Sequence, residues 1–114
     1  MDSRLPTLEQ AAASVRRALA GDVPESIRAV SVAVTPTGVW VSVYHDGSLR
    51  PGIEELLDTA ITQVYADFPE LGEPGPQVRV ALERCDEPAR VPALGRLVHS
   101  RAGTKFQLPG DVRA

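Results

Sequence analysis

The sequence predicts an α+β domain in which two helices cover one face of a four-stranded, mainly antiparallel sheet. Two observations lead to this expectation. Apolar residues recur at helical spacing near the N-terminus and again in mid-chain, and valines alternate with other residues in several short stretches. The predicted order is α-β-β-α-β-β in a two-layer sandwich. At 114 residues the chain has room for one domain, which we expect to span 1–114.

The first helix is expected over 7–20. Thr7 and Gln10 fit a capping box, in which each side chain accepts a hydrogen bond from the backbone N–H of the other residue. Gly21 suits the position just after the helix, where glycine adopts the left-handed conformation easily. The apolar stripe of this helix is rich in alanine: Leu8, Ala11, Ala12, Val15 and Leu19.

Two valine-rich stretches then predict a β-hairpin, for which two registers compete. A three-residue loop after Thr35 would pair Val34 with Trp40, whereas a two- or four-residue loop pairs Val34 with Val39. A slip of one residue exchanges every side chain between the two faces of the sheet. We favour the second register because it places six valines on one face, and each fully buried side chain of this kind contributes about 1.5–3 kcal/mol.

The second helix is expected over 53–67, where the helical periodicity is the clearest in the chain. Pro69 and the Gly-Glu-Pro-Gly-Pro run at 72–76 end this helix and form a loop. The apolar positions follow spacings of three and four: Ile53, Leu56, Leu57, Ala60, Ile61, Val64 and Phe68.

Alternating apolar residues predict a third strand over 77–84 and, with a weaker pattern, a fourth over 95–101. Residues 103–114 show no periodicity, and we expect them to form a flexible tail.

The charge of the chain is unevenly distributed. The net charge is −3, but residues 46–73 hold seven acidic residues and only one basic residue. Two interpretations stay open: a solvated helix face, part of which favours the positive end of the helix dipole, or a docking surface for a basic partner. A nucleic-acid partner is not expected, because phosphate binding requires clustered lysine and arginine.

The composition also limits the cellular setting. Cys85 is the only cysteine, so a disulfide within the chain is impossible and a reducing compartment is expected. No stretch has the roughly 20 apolar residues of a membrane span, and the N-terminus lacks the apolar core of a signal peptide. The sequence therefore predicts a cytoplasmic protein without a membrane partner.

Chemically reactive residues do not form a coherent catalytic or metal-binding set. His45 lies between Tyr44 and Asp46, but adjacent strand residues point to opposite faces. Cys85 and His99 could form a nucleophile and a base, yet no third group accompanies them. No zinc spacing and no phosphate-binding glycine motif is present. We therefore expect no enzymatic activity, no metal and no cofactor.

The favoured hairpin register leaves Trp40 and Tyr44 on the sheet face opposite the helices, with Ser42 between them. Tryptophan and tyrosine are the residue types that most often carry binding energy. Three interpretations stay open: cover by another part of the chain, homodimerisation, or contact with a foreign protein.

The sequence resembles the small α/β immunity proteins of bacterial toxin systems, including contact-dependent inhibition and related polymorphic toxins. The features that carry the resemblance cover about residues 29–102: VSVYHDG, EELLDTAITQVYADFPE and LGRLVHSRAG. The resemblance implies a non-catalytic protein that binds and neutralises a cognate toxin, frequently a nuclease with a basic active site. It also implies that toxin contacts lie near Tyr44, Asp46 and the start of the second helix.

Together these arguments predict a partner-binding site made of aromatic and acidic side chains: Trp40, Tyr44, Asp46, Glu54, Glu55 and Asp58. The alternative function is a self-associating regulatory or structural domain that forms a homodimer through the same face.

Overall fold

The computed structural model describes residues 5–20, 23–48, 51–72, 75–92 and 95–107. Two helices and four strands follow one another along the chain: α1 (Leu8–Ala18), β1 (Ile27–Thr35), β2 (Gly38–His45), α2 (Pro51–Asp67), β3 (Gln77–Arg84) and β4 (Arg96–Ser100). Side chains of both helices share one hydrophobic core with the valines of β1 and β2. Both helices therefore lie on the same face of the sheet, and the fold is α+β.

The four strands form an open sheet in the order β3-β2-β1-β4. β1 runs antiparallel to β2 and to β4, but β2 and β3 run parallel. The prediction of a mainly antiparallel sheet is therefore wrong, because the sheet is mixed. The reason is the 17-residue helix α2 between β2 and β3: parallel neighbours need a crossover connection of about a dozen residues or more, and α2 provides it. This crossover places β3 at one edge of the sheet.

The hairpin has the register that the valines predict. Val34 pairs with Val39, and Pro36 and Thr37 form the loop between Thr35 and Gly38. Five of the six valines are at most 2% exposed. Gly38 has φ +141°, and a Cβ atom there would lie 1.8 Å from the carbonyl oxygen of Gln77. Glycine at this position therefore lets β3 begin directly beside β2.

The capping box of α1 is confirmed. The hydroxyl of Thr7 accepts from the backbone N–H of Gln10 at 3.1 Å, and the side-chain oxygen of Gln10 accepts from the N–H of Thr7 at 2.9 Å. The helix is slightly shorter than the predicted 7–20, and Gly21 lies outside the described residues.

The two helices are joined by the carboxylate of Asp67 at the end of α2. It accepts from the Ser14 hydroxyl at 2.6 Å and also pairs with Arg17 of α1. Hydrogen bonds from Ser14 and Gln63, together with Arg17, hold the pKa of Asp67 below its usual range. β3 has its predicted bounds, and β4 is one residue shorter than predicted at each end.

Part of the sheet face opposite the helices is covered by two segments, 85–92 and 103–107, which we call the covering segments. The N–H of Val91 donates to Lys105, and the N–H of Gln107 donates to Val91, each at 2.9 Å. Val91 and Phe106 pack with Ala29 and Tyr44 in a second, smaller apolar cluster. Of the predicted tail, residues 103–107 belong to this cover and 108–114 lie outside the described residues.

Arg28 fixes the first covering segment to the sheet. Its side chain is 2% exposed, and one terminal nitrogen donates to the carbonyl oxygens of Cys85 at 2.8 Å and Ala89 at 2.6 Å. A buried guanidinium is costly unless its donors are paired. Here the carbonyl groups of the loop pair with one of its terminal nitrogens, so the cover and the buried arginine depend on each other.

Candidate protein-binding surface

Trp40 lies in β2 on the sheet face opposite the helices, as the register predicts, and is 36% exposed. Its partner on β3 is Arg79, whose guanidinium carbon lies 6.0 Å from the centroid of the indole ring. This distance is at the outer limit of a cation–π interaction. The ring is therefore supported from one side by Arg79 and keeps a free surface on the other.

Tyr44 lies on the same face, four residues further along β2, but is only 5% exposed. The covering segments shield its ring through Val91 and Phe106. Burial raises the pKa of the Tyr44 phenol, against the opposing effect of a hydrogen bond with Ser42. The two aromatic side chains predicted to share one sheet face therefore have different environments.

Asp46 directly follows β2 and contacts Ser26 and Arg101 of the same chain. Its N–H donates to the carbonyl oxygen of Ser26 at 2.7 Å, and its carboxylate lies 3.4 Å from Arg101. Arg101 also donates to Glu87 at 2.8 Å. Asp46 lines an open cleft of about 640 Å³, but its charge is already partly compensated within the chain.

The three acidic residues near the start of α2, Glu54, Glu55 and Asp58, are exposed, and two of them line a groove with β3. Glu54 and Asp58 are one helical turn apart, so their side chains share one face of the helix. The groove has a volume of about 400 Å³, and we call it the acidic groove. Its remaining walls are apolar: Leu57, Ile61, Val80 and Leu82.

The acidic groove combines uncompensated charge with apolar surface. In the described part of the chain, no lysine or arginine pairs with the carboxylates of Glu54 or Asp58. Leu82 is 39% exposed at the groove wall. Glu55 is exposed beside these residues but does not line the groove.

The structure thus brings Glu54 and Asp58 together and separates them from Trp40. The groove lies on the helix side of β3, whereas Trp40 and Arg79 lie on the other side. Along β3, Arg79 and Leu82 are three residues apart, or about 10 Å. Both parts of the predicted site therefore flank the same edge strand.

The residues considered for catalysis lie in separate environments. His45 is buried, and its Nδ1 lies 3.0 Å from the carbonyl oxygen of Gly47. Cys85 begins the first covering segment, and its sulfur lies 3.5 Å from a guanidinium nitrogen of Arg28. His99 pairs with Val30, whose side chain points toward the helices, and burial lowers the pKa of His99.

Within the described ranges, no three His, Cys, Asp or Glu side chains are grouped closely enough to hold a metal ion. Neither of the two described helices has the length and the apolarity that crossing a lipid bilayer requires.

Sequence reasoning missed the contribution of β3 to this surface. The alternation along 77–84 predicts that Val80 and Leu82 lie in a strand, but it does not indicate that they line a groove or that Arg79 lies beside Trp40. The parallel pairing of β2 with β3 brings these residues beside α2 and Trp40. The available signal was the long helix between the two strands, which is typical of a parallel crossover.

Comparison with known proteins adds one family. A family model described as MafI2 immunity protein matches residues 9–103, which include every described helix and strand except the first residue of α1. No curated protein matches the chain.

Proposed function

Since the chain belongs to the MafI2 immunity protein family, we propose that it neutralises a bacterial toxin by binding it in the cytoplasm, without carrying out a reaction. The observation that carries the proposed binding surface is the acidic groove, where two carboxylates that pair with no cationic side chain among the described residues border the exposed side chain of Leu82. A toxin domain with a basic, partly apolar surface is the partner that complements this groove.

Charge and apolar contact have different effects in this proposal. Carboxylates at the rim of a binding surface attract a basic partner and accelerate association. Leu82, which is exposed at the groove wall, and the half-buried Ile61 then supply the apolar surface whose burial slows dissociation. Neither requires a catalytic group.

The other predicted contacts have graded roles. Trp40 is the second contact, because its indole ring is exposed on the far side of β3. Glu55 and Asp46 lie outside the groove and contribute less, since Asp46 is paired with Arg101. Tyr44 is buried and supports the sheet rather than touching the toxin.

The test is binding to a toxin domain, and a toxin domain encoded by a gene adjacent to that of this protein is the candidate to be tried first. Glu54→Lys and Asp58→Lys should each raise the Kd about tenfold or more, which corresponds to roughly 1.4 kcal/mol. Isothermal calorimetry on the purified pair measures this change, and a growth assay shows whether protection from the toxin weakens in parallel.

Glu70→Lys is the matched control, because Glu70 is an exposed carboxylate that does not line the groove. It changes the net charge by the same amount and should leave the Kd within about twofold. Absence of any complex would contradict the proposed function, and equal effects of all three reversals would contradict the proposed surface.

A further inference from the structure

The backbone of β3 has one free side. β3 is at the edge of the sheet. A hydrogen bond at each end of β3 shows which of its peptide groups face β2: the N–H of Gln77 donates to the carbonyl oxygen of Thr37 at 3.1 Å, and the N–H of Cys85 donates to that of His45 at 2.7 Å. Peptide groups alternate in direction along a strand. Odd-numbered residues therefore turn their N–H and C=O groups toward β2, and even-numbered residues turn theirs outward: Val78, Val80, Leu82 and Arg84.

One end of this free side is already occupied. The N–H of Val78 donates to the hydroxyl of Tyr65 on α2 at 3.0 Å. For Val80 and Leu82, none of the described residues accepts from the outward N–H. The open stretch of the edge therefore runs from Val80 toward Arg84.

The open stretch lies along the acidic groove. Val80 and Leu82 contribute both the outward peptide groups and part of the groove wall. A further strand would lie about 4.8 Å from β3, and every second side chain would point to the side of α2. Those side chains would enter the groove beside Glu54 and Asp58.

We propose, on the basis of the proposed function, that the toxin contributes an extended segment that pairs with β3 as a fifth strand. Its apolar side chains occupy the acidic groove, and its lysine or arginine side chains meet Glu54 and Asp58. The backbone supplies affinity and the groove selects the side chains, as in other cases of strand addition.

Charge favours this occupant over a second copy of the chain. Pairing of two β3 edges would bring the same carboxylates of both copies to one seam, where like charges repel. A basic segment meets the opposite sign in the same place.

The first experiment measures amide hydrogen exchange at single residues, free and in complex with such a toxin domain. The N–H groups of Val80 and Leu82 should exchange at least tenfold more slowly in the complex. Those of Ala81 and Glu83 already face β2 and should change little. Protection that alternates in this way is specific to strand pairing, since contact with a face of the sheet would not distinguish neighbouring amides.

The second experiment compares Leu82→Pro with Leu82→Ala. Both remove the leucine side chain from the groove, but only proline removes the outward N–H. Proline is tolerated in edge strands where the N–H faces solvent. The Kd of Leu82→Pro should be at least tenfold higher than that of Leu82→Ala, with circular dichroism confirming that both fold.

The outcomes separate the two proposals. A complex without alternating protection, or an equal Kd for the two variants, overturns strand addition and leaves the proposed function standing. If the amides of the free protein already show the alternating protection from exchange at high protein concentration, a second copy of the chain pairs with β3. That result also overturns strand addition by the toxin. Absence of a complex overturns the proposed function itself. If Leu82→Pro does not fold, the exchange pattern of the unmodified protein decides.

Discussion

The two ends of the sheet face opposite the helices differ in what lies on them. Tyr44 and Trp40 are on the same strand and the same side of the sheet, yet Tyr44 is 5% exposed and Trp40 is 36% exposed. The covering segments lie over the first and not over the second. Alternation along a strand decides which face a side chain is on, whereas its exposure depends on segments far away in the sequence.

The covered end is held by polar as well as apolar contacts. Arg28 connects the sheet to the carbonyl oxygens of Cys85 and Ala89. Its Nε is buried, forms no hydrogen bond with any of the described residues, and lies 3.9 Å from a carboxylate oxygen of Glu87. At the open end, Arg79 lies over Trp40 from an exposed position on β3. We therefore expect substitutions at the covered end to change stability and those at the open end to change binding.

The largest expected effect is the loss of stability on truncating Tyr44, compared with the small loss on truncating Trp40. Tyr44→Ala should lower the free energy of unfolding by about 3–5 kcal/mol, because it leaves a cavity beneath the covering segments. Trp40→Ala should lower it by less than about 1 kcal/mol but weaken toxin binding. Chemical denaturation measures the first quantity and calorimetry the second. Similar losses of stability in the two variants would remove the distinction between the ends.

The next largest effect is the loss of stability on replacing the buried Arg28. Arg28→Met keeps much of the side-chain volume but leaves two carbonyl groups of the loop without their donor. We expect a loss of about 2–3 kcal/mol, since hydrogen bonds that involve a charged group are worth about this much. Arg16→Met, at an exposed position of α1, is the control and should change stability by less than about 0.5 kcal/mol. An equally small effect at Arg28 would show that apolar packing alone holds the cover.

The smallest effect concerns pH at the covered end. Hydrogen bonds from Arg84 and from the N–H of Gly47 hold the pKa of Asp86 below its ordinary value of 3.8. The ionised carboxylate therefore contributes stability that is fully present above pH 3.8 and is lost as the pH falls through the lower pKa of the folded state. Asp86→Asn should flatten part of the fall in Tm below about pH 4.

Asp67→Asn provides the comparison for this measurement, because Asp67 also has a lowered pKa but joins the two helices. If Asp86→Asn leaves the acid profile of Tm unchanged while Asp67→Asn flattens it, the carboxylate of Asp86 does not stabilise the covered end.

Local pattern was sufficient for most of the secondary structure. Thr7 and Gln10 identify the start of α1, and the valine rows select the pairing of Val34 with Val39. The helix start depends on residues close in sequence, and the register depends on the free energy gained by burying the valines on one face. The direction of β3 depends instead on how α2 crosses the sheet, which no alternation of side chains records.

The candidate surface was predictable to the same degree. The spacing of Glu54 and Asp58 places them on one helix face, and the hairpin register places Trp40 away from the core. Cover by another part of the chain is one of the interpretations that the sequence leaves open for Trp40 and Tyr44, and the structure shows it over Tyr44. Periodicity could not decide between the interpretations, because Val91 and Phe106 come from segments without it. The groove wall at Leu82 required the position of the edge strand, which follows only from the sheet order.

The hydroxyl of Tyr65 at Val78 has a consequence for solubility. An unprotected sheet margin is a template on which chains can stack into fibrils, and natural proteins shorten or charge such margins to prevent it. The hydroxyl of Tyr65 accepts from the outward N–H of Val78 and so shortens the unpaired part of the strand on which other chains could stack. The ion pair Arg84–Asp86 lies at the other end of that part. Tyr65→Phe should therefore make the protein more prone to aggregation without altering its core.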